Sequence, residues 1–128
     1  MKEIIHTDKA PKAIGPYSQA VKMGNLLFTS GQLPIDPSTG EVNEDISTQT
    51  RQVLENLQAI VEQAGGTLKD VIKATVFMTD LSGFAAMNDV YSKYFNVKPP
   101  ARSTVEVSGL AKKALVEIEV VAQIRSEK

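Results

Sequence analysis

The clearest pattern in the sequence is a stripe of apolar residues that recur in steps of three and four between positions 46 and 64. This spacing places them on one face of a helix, with charged residues mostly on the other face. Asp45 or Ser47 can cap the start of this helix, and Gly65 with Gly66 can end it. The sequence therefore predicts one long amphipathic helix. Its stripe contains Ile46, Val53, Leu54, Leu57, Ile60, Val61 and Ala64.

A second, shorter stripe lies between positions 84 and 95. Asp80 or Ser82 can cap the start of this second helix, and the pair Pro99–Pro100 prevents its continuation. One member of the stripe, Asn88, is an amide among apolar and aromatic side chains. Such an amide needs hydrogen-bond partners when it is buried. The stripe contains Phe84, Met87, Asn88, Tyr91, Tyr94 and Phe95.

Short alternating or apolar runs outside these helices predict six strands. Gly24–Asn25 can form the turn between the second and third strands. In the fourth strand, every second residue from Ile72 to Met78 is expected to lie on one side of the sheet, with Lys73, Thr75 and Phe77 on the other. Because the first helix lies between the third and fourth strands, we expect it to be a right-handed crossover between parallel neighbours. The predicted strands are Ile4–Ile5, Tyr17–Lys22, Leu26–Ser30, Val71–Met78, Arg102–Val107 and Leu115–Ile124.

These elements predict an α+β fold in which two helices cover one face of a mixed sheet. No repeat or linker divides the 128 residues, so we expect a single domain over residues 1–128. The other face of the sheet is only partly polar, because Glu117 and Glu119 share it with Val121 in the last strand. An isolated chain would expose this surface. We therefore expect self-association through it.

Composition narrows the chemistry that the chain can perform. It has no cysteine and one histidine, His6, which excludes disulfides, a thiol nucleophile, Cys-type zinc sites and His-rich metal sites. The 14 basic and 15 acidic residues give a net charge of -1, which argues against a dedicated nucleic-acid binder. No segment is apolar over the length that a transmembrane helix or a signal peptide needs. We expect a cytoplasmic protein without a metal or cofactor.

An arginine and two glutamates are the first candidates for chemistry. Arg102 follows Pro-Pro-Ala at the start of a strand; it is either an ordinary surface or ion-pairing residue, or a fork that binds a ligand carboxylate. Glu117 and Glu119 share one face of the last strand. They are either solvated, or one of them lies in a pocket near Arg102. Adjacent antiparallel strands would bring the arginine and the glutamates within reach of each other.

Three further positions have a structural and a functional interpretation. Asn88 either satisfies the backbone of a nearby loop or presents its amide to a pocket. Tyr17, which follows Gly-Pro, either packs or lines a cavity with its ring. Ser30 and Gly31 end a strand, and a glycine there allows the close approach of another chain segment or of a ligand.

Six segments together carry a family resemblance: IGPYSQAV, TSGQLPIDPSTGE, EQAGGTLKDVIKATVFMTDL, FAAMNDVYSKYF, PPARSTVEV and VEIEVVA. They follow one another over nearly the whole chain, and the sequence resembles the RidA (YjgF-type) family. The most specific signal is the segment PPARSTVEV followed by the strand VEIEV. The resemblance implies a chorismate-mutase-like fold of the bacillus type. It also implies a homotrimer with its sites at the three subunit interfaces.

The resemblance also implies roles for residues at the matching positions. Arg102 would bind the carboxylate of the substrate, and Glu117 would lie near the imine as the acidic residue. Many relatives have a cysteine at the position that Thr104 occupies in this chain. Because a threonine has no thiol, a thiol role at this position is excluded here. We expect activity to be kept, because backbone groups at this position can still face the ligand. The residues implied to bind substrate are Tyr17, Ser30, Gly31, Asn88 and Thr104.

The implied activity is that of a 2-iminobutanoate/2-iminopropanoate deaminase. Such an enzyme hydrolyses the reactive enamines and imines released by pyridoxal-phosphate-dependent dehydratases to 2-oxo acids and ammonia. Two alternatives remain open. The first is a non-catalytic member that binds small molecules or acts like a chaperone. The second is an endoribonuclease or translation inhibitor, which the balanced charge and the lack of a histidine pair disfavour.

Overall fold

The computed structural model describes residues 1–125, in which six strands form one mixed sheet and two helices pack on one of its faces. The predicted α+β architecture is confirmed. Three single 3₁₀ turns, Leu68–Asp70, Leu81–Gly83 and Ala111–Lys113, connect these elements. The strands are β1 (Lys2–Ile5), β2 (Ala20–Met23), β3 (Leu26–Thr29), β4 (Val71–Met78), β5 (Ala101–Glu106) and β6 (Val116–Gln123), and the helices are α1 (Ile46–Gln63) and α2 (Phe84–Tyr94).

The strand order is β1-β2-β3-β6-β4-β5, so the C-terminal strand lies in the middle of the sheet. The predicted position of α1 as a crossover between parallel neighbours is wrong. β3 and β4 run in the same direction, but β6 lies between them and is antiparallel to both. The parallel neighbours are β4 and β5, which α2 connects. The order of elements along the chain does not reveal that the last strand, β6, inserts between β3 and β4.

The core lies between the helices and the central strands. In β6 and just after it, every second residue is buried against the helices, on the side that strand alternation makes apolar: Val116, Ile118, Val120, Ala122 and Ile124. The stripe of α1 supplies the opposing layer, since Val53, Leu54, Leu57, Ile60 and Val61 are also buried. Fully burying one such aliphatic side chain stabilises a fold by roughly 1.5–3 kcal/mol. The contact between α1 and β6 is therefore a main source of stability.

An irregularity in β4 changes which side of the sheet its first residues face. The register of β4 against β6 shifts between Val71 and Lys73, which is the signature of a bulge. Val71 is consequently buried, while Ile72 is 48% exposed instead of sharing the side of Ala74, Val76 and Met78. Ala74, Val76 and Met78 follow the predicted alternation and are buried.

The predicted cap of α2 and the predicted ends of every strand except β4 also differ from the structure, by one to three residues in the strands. Asp45 caps α1 through Thr48, as one of the two expected caps. Asp80, however, caps the 3₁₀ turn that precedes α2, and α2 itself begins after Gly83 without a side-chain cap. β2 begins at Ala20 and not at Tyr17, because its pairing with β1 and β3 starts at Ala20, and Tyr17 lies in the irregular segment that follows Gly15 (φ +136°). No helix in residues 1–125 is both long and apolar enough to cross a membrane.

The sheet face opposite the helices carries exposed apolar side chains. The register places Ile4, Val21, Phe28 and Val121 side by side on four neighbouring strands. Ile4 is 54% exposed and Phe28 is 47% exposed. This row is part of what we call the open face of the sheet. The sequence pattern did not assign Phe28 to the open face. Self-association through the open face stays a prediction.

Two buried amides on α1 hold loops against the helix. Gln49 accepts a hydrogen bond from the Leu115 backbone N–H at 2.8 Å and donates to the Asn43 carbonyl at 2.6 Å. Asn56 donates to the carbonyls of Leu33 and Ile35 at 3.1 and 3.0 Å. Gln49 therefore connects α1 to the start of β6, and Asn56 fixes the loop that follows β3.

We expect Gln49→Ala to lower the free energy of unfolding by about 2–3 kcal/mol, because it leaves a backbone donor and a backbone acceptor without partners. Gln58→Ala on the same helix is the matched control. Gln58 makes only a surface hydrogen bond to Glu62 at 3.2 Å, so its loss is expected to cost less than about 0.5 kcal/mol. Denaturant unfolding of both variants measures the difference. Equal losses would contradict the role of Gln49.

Candidate active site

Arg102 lies on the edge strand β5 and points toward α2. The register pairs it with Ala74, which is buried on the helix side of the sheet. Its Nη1 donates a hydrogen bond to Asn88 Oδ1 at 2.8 Å. No carboxylate within residues 1–125 forms an ion pair with it. The ion-pairing interpretation of Arg102 therefore finds no partner in this part of the chain, and the rest of its guanidinium fork is left for a ligand.

Two aromatic rings of α2 complete the surroundings of this arginine. The guanidinium carbon of Arg102 lies 4.6 Å from the centre of the Tyr91 ring and 5.5 Å from the centre of the Phe84 ring. Both distances suit a cation–π contact. Phe84, Asn88 and Tyr91 are spaced by four and three residues and so share one helix face. We call these three residues the arginine cradle. They hold the guanidinium group in one place.

Glu117 lies in a separate cleft on the other side of the sheet. The cleft is open, has a volume of about 400 Å³ and is lined by Ile14, Tyr17, Ser30, Gly31, Leu33, Ala111 and Glu117. Gln32 and Ile118 exchange two backbone hydrogen bonds, of 2.8 and 3.3 Å, which bring Gly31 beside Glu117. A Cβ at Gly31 would overlap Oε2 of Glu117 and lie 2.8 Å from its Cδ. Glycine is therefore required at position 31 for the carboxylate to keep this place.

A buried glutamine fixes the loop that carries Tyr17. Gln19 is 2% exposed, accepts a hydrogen bond from the Thr7 N–H at 2.8 Å and donates to the Pro11 carbonyl at 2.8 Å. Ser30 is held next to it, since its backbone N–H donates to the Gln19 carbonyl at 2.9 Å and its hydroxyl donates to the Ser18 carbonyl at 2.6 Å. Because the hydroxyl proton of Ser30 is used in this bond, the hydroxyl can only accept a hydrogen bond from a ligand.

Burial raises the pKa of the Glu117 carboxyl above its usual range, and the neighbouring charge of Glu119 adds to the shift. Both effects disfavour the ionised form. Glu119 itself is exposed on the same face of β6. A carboxyl whose pKa is raised is a stronger base when ionised than an ordinary glutamate. Of the two glutamates, Glu117 is therefore the better candidate for acid–base chemistry.

Arg102 and Glu117 do not meet within one chain, so the expectation of adjacent antiparallel strands is wrong. β5 pairs only with β4 and is parallel to it, and β4 separates it from β6. The register places Arg102 level with Val120, two strands and three positions away from Glu117. From strand spacing and rise, the two Cα atoms are about 14 Å apart. Their side chains also lie on opposite faces of the sheet.

The sequence-predicted residues thus fall into two groups. Arg102, Asn88 and Thr104 lie on the helix side of β5, and Thr104 faces the same way as Arg102 because it pairs with buried Val76. The other group, in the cleft, contains Tyr17, Ser30, Gly31 and Glu117. No group of three or more metal-ligating side chains is found in the described part of the chain.

Similar proteins of known family identify the family of this chain. The family model described as Endoribonuclease L-PSP matches residues 7–124. A RutC family protein of Pyrococcus horikoshii is 61% identical over 95% of this chain and 98% of its own length. The 2-iminobutanoate/2-iminopropanoate deaminase of Escherichia coli is 50% identical over 95% of this chain and 98% of its own. The solved structure of E. coli TdcF with bound serine matches with a TM-score of 0.93 and 49% identity, over 97% of this chain and 99% of that one. The chain belongs to the RidA family.

Membership of the RidA family confirms the resemblance seen in the sequence, and the structural likeness confirms the expected fold. The roles of the individual site residues stay predictions. Sequence reasoning missed Phe84 and Tyr91 as contacts of the arginine, because it assigned them to the apolar stripe of α2. It also missed Gln19. The spacing of Phe84 and Tyr91 around Asn88 is the signal that could have identified the cradle in this RidA-family chain.

We expect Glu117→Gln to raise the thermal unfolding temperature at pH 7–8. The pKa of Glu117 is raised in the folded state, so the folded protein favours the protonated carboxyl. The stability that this protonation provides is lost as the pH rises through the folded-state pKa, because the buried carboxyl must then ionise. Glutamine cannot ionise and avoids the loss. The gain should shrink as the pH falls to about 4, where the glutamate is also protonated.

Glu3→Gln, on the exposed strand β1, controls for the removal of one negative charge. Thermal unfolding of both variants at pH 4, 6 and 8 measures the effect. A destabilised Glu117→Gln protein at pH 8 would contradict the inferred surroundings of this carboxyl.

Proposed function

We propose that this RidA-family protein hydrolyses small 2-imino acids, such as 2-iminobutanoate and 2-iminopropanoate, to 2-oxo acids and ammonia. One observation carries the proposal. Arg102 is held by the arginine cradle, yet it has no carboxylate partner within residues 1–125. A fixed and unpaired guanidinium fork is suited to binding the carboxylate of a small acid with two parallel hydrogen bonds.

The relatives support this assignment. The deaminases of Escherichia coli and Salmonella typhimurium, whose names state this activity, are 50% and 51% identical to the chain. The substrates would be the imines, and the enamines that precede them, which pyridoxal-phosphate-dependent dehydratases release.

The reaction needs water attack on an imine that is already electrophilic when protonated. Arg102 would bind the carboxylate and fix C2 of the substrate. Glu117 would accept a proton from water as its oxygen bonds to C2, which gives a tetrahedral amino alcohol. The same carboxyl would return the proton to the nitrogen, and the C–N bond would break as the C=O bond forms. The Glu117 carboxylate would accept the hydroxyl proton in this step and pass it to the departing ammonia. The atoms and charges balance as protonated imine plus water to 2-oxo acid plus ammonium. A general base of this kind contributes about 10²–10⁴-fold.

The proposal requires two copies of the chain for each site. Arg102 and Glu117 of one chain lie on opposite faces of the sheet, and a four-carbon acid cannot reach from one to the other. We therefore propose a homotrimer in which Arg102, Asn88 and Thr104 of one subunit face the cleft with Tyr17, Ser30, Gly31 and Glu117 of the next. The apolar row on the open face would supply the contact between subunits.

The endoribonuclease in the family description has weaker support in this site. RNA cleavage needs cationic groups that bind phosphate. Within one chain the residues that line the Glu117 cleft include no basic side chain, and the proposed trimer would add a single arginine, Arg102 of the neighbouring subunit. Since the chain has a net charge of -1 and a single histidine, it also offers no pair of histidines for acid–base catalysis of RNA cleavage.

We expect Arg102→Ala and Arg102→Lys each to lower imine hydrolysis by about 100-fold or more, because a lysine keeps the charge but cannot hold the carboxylate in the same orientation. The measurement is ammonia release from freshly generated 2-iminobutanoate and 2-iminopropanoate. Arg51→Lys, on the exposed side of α1, is the control and should be unchanged. Near-normal rates in both Arg102 variants would overturn the proposal. Saturable 2-oxo-acid binding without hydrolysis in the wild type would indicate the non-catalytic alternative.

A mixing experiment tests the shared site. Arg102→Ala and Glu117→Gln proteins should each be nearly inactive. The two proteins are then unfolded, mixed in equal amounts and refolded together. A site in the mixed trimer is intact when the Glu117→Gln subunit supplies Arg102 and the Arg102→Ala subunit supplies Glu117. Random assembly gives this pairing in about a quarter of sites, so about a quarter of the wild-type activity should return. Each variant refolded alone is the control. If mixing restores no activity, the site is not shared between subunits.

A further inference from the structure

Two buried hydroxyl groups beside Arg102 have no hydrogen-bond partner. In residues 1–125, the buried side-chain oxygen and nitrogen atoms without a partner are Tyr91 Oη and Thr104 Oγ1. The Tyr91 ring packs against the guanidinium group, and Thr104 is two positions from Arg102 on the same face of β5. Folded proteins pair the great majority of such atoms. That both exceptions adjoin the same arginine points to a common cause.

The surroundings of Tyr91 fix its hydroxyl group in place. Tyr91 is 5% exposed, and its ring lies 4.8 Å from the ring of Phe95 on one side and against Arg102 on another. A phenylalanine would fill the same space and make the same cation–π contact. Packing therefore explains the ring but not the hydroxyl, whose burial without a partner costs free energy.

We propose that the Tyr91 hydroxyl donates a hydrogen bond to the ligand carboxylate that Arg102 binds, and that the Thr104 hydroxyl contacts the same anion. This inference rests on the proposed function. A carboxylate has two oxygens with about four acceptor positions, and a guanidinium fork occupies only two of them. Tyr91 is thus a further substrate-binding and specificity-determining residue of the site.

The charge state of Tyr91 fits this role. Burial raises the pKa of its hydroxyl, although the positive charge of Arg102 and the approach of a guanidinium N–H toward the hydroxyl oxygen act in the opposite direction. This approach falls short of hydrogen-bond geometry, and the hydroxyl proton has no acceptor. The group therefore keeps its proton at neutral pH and is a donor. A donor is what a carboxylate needs, since a carboxylate can only accept.

The test is the binding of 2-oxobutanoate, the product of the proposed reaction, to the assembled protein by titration calorimetry. Tyr91→Phe keeps the ring and removes the hydroxyl, so we expect Kd to rise about tenfold or more, as for a lost hydrogen bond to a charged group. KM for 2-iminobutanoate should rise in parallel with a smaller change in kcat. The ligand-free variant should unfold at the same or a higher temperature, because an unpartnered hydroxyl has been removed. Thr104→Val repeats the test on the second hydroxyl and provides a second variant if Tyr91→Phe does not fold.

Tyr94→Phe is the matched control. Tyr94 is on the same helix, and its hydroxyl makes a long hydrogen bond of 3.5 Å to Glu55, away from Arg102. Its removal should leave Kd unchanged.

Three results would overturn the inference. In the first, Tyr91→Phe and Thr104→Val bind 2-oxobutanoate as tightly as the wild type, which refutes the contact while the proposed function stands. In the second, Kd is unchanged and the ligand-free Tyr91→Phe protein unfolds several degrees lower, which assigns the hydroxyl to a structural contact between subunits. In the third, the wild type neither binds 2-oxobutanoate nor hydrolyses the imine, and the proposed function fails together with the inference.

Discussion

The insertion of β6 between β3 and β4 is the constraint on which the rest of this structure depends. β6 is antiparallel to both neighbours and buries one side of its whole length against α1. Its other side presents Glu117 to the open face, next to Gly31. Because β6 lies between β3 and β4, and β5 pairs only with β4, β5 and its arginine lie at the edge of the sheet. One pairing choice therefore stabilises the core and also separates the two candidate catalytic groups.

The separation lets each group have the surroundings that its chemistry requires. Arg102 is held by a neutral amide and two aromatic rings, which fix its position without neutralising its charge. Had Glu117 been its neighbour in the same chain, the two would form an ion pair, and the pKa of the carboxyl would fall. Instead, burial beside Glu119 raises the pKa of Glu117. Within one chain, a cation without a carboxylate partner and a weakly acidic carboxyl are therefore kept apart, and the proposed trimer would bring them to one site.

The sequence was sufficient where a pattern had only one structural solution. The stripe of α1, the cap at Asp45 and the buried side of β6 followed from periodicity, since a helix or strand can bury only one face. Periodicity could not reveal the bulge that exposes Ile72, because a single extra residue leaves the composition of the strand unchanged. It also could not reveal that β6 separates β4 from β3, because pairing between distant strands depends on the whole sheet. The arginine and glutamate were found as candidates, but the error in strand pairing led to a wrong expectation of their contact.

A proposed site that is divided between subunits explains why so small a set of functional groups can suffice. The chain has no cysteine and one exposed histidine, so no thiol takes part in its chemistry. Hydrolysis of a protonated imine needs little activation, and its main requirement is that water, carboxyl and C2 are held in line. In the proposed trimer, rigid elements on both sides meet this requirement. α2 orients Arg102, and the Gln19 hydrogen bonds together with the Gln32–Ile118 bridge orient the Glu117 cleft. Catalysis would then depend on the accuracy with which two such surfaces assemble, and the open face that appears unfavourable in an isolated chain is what provides that accuracy.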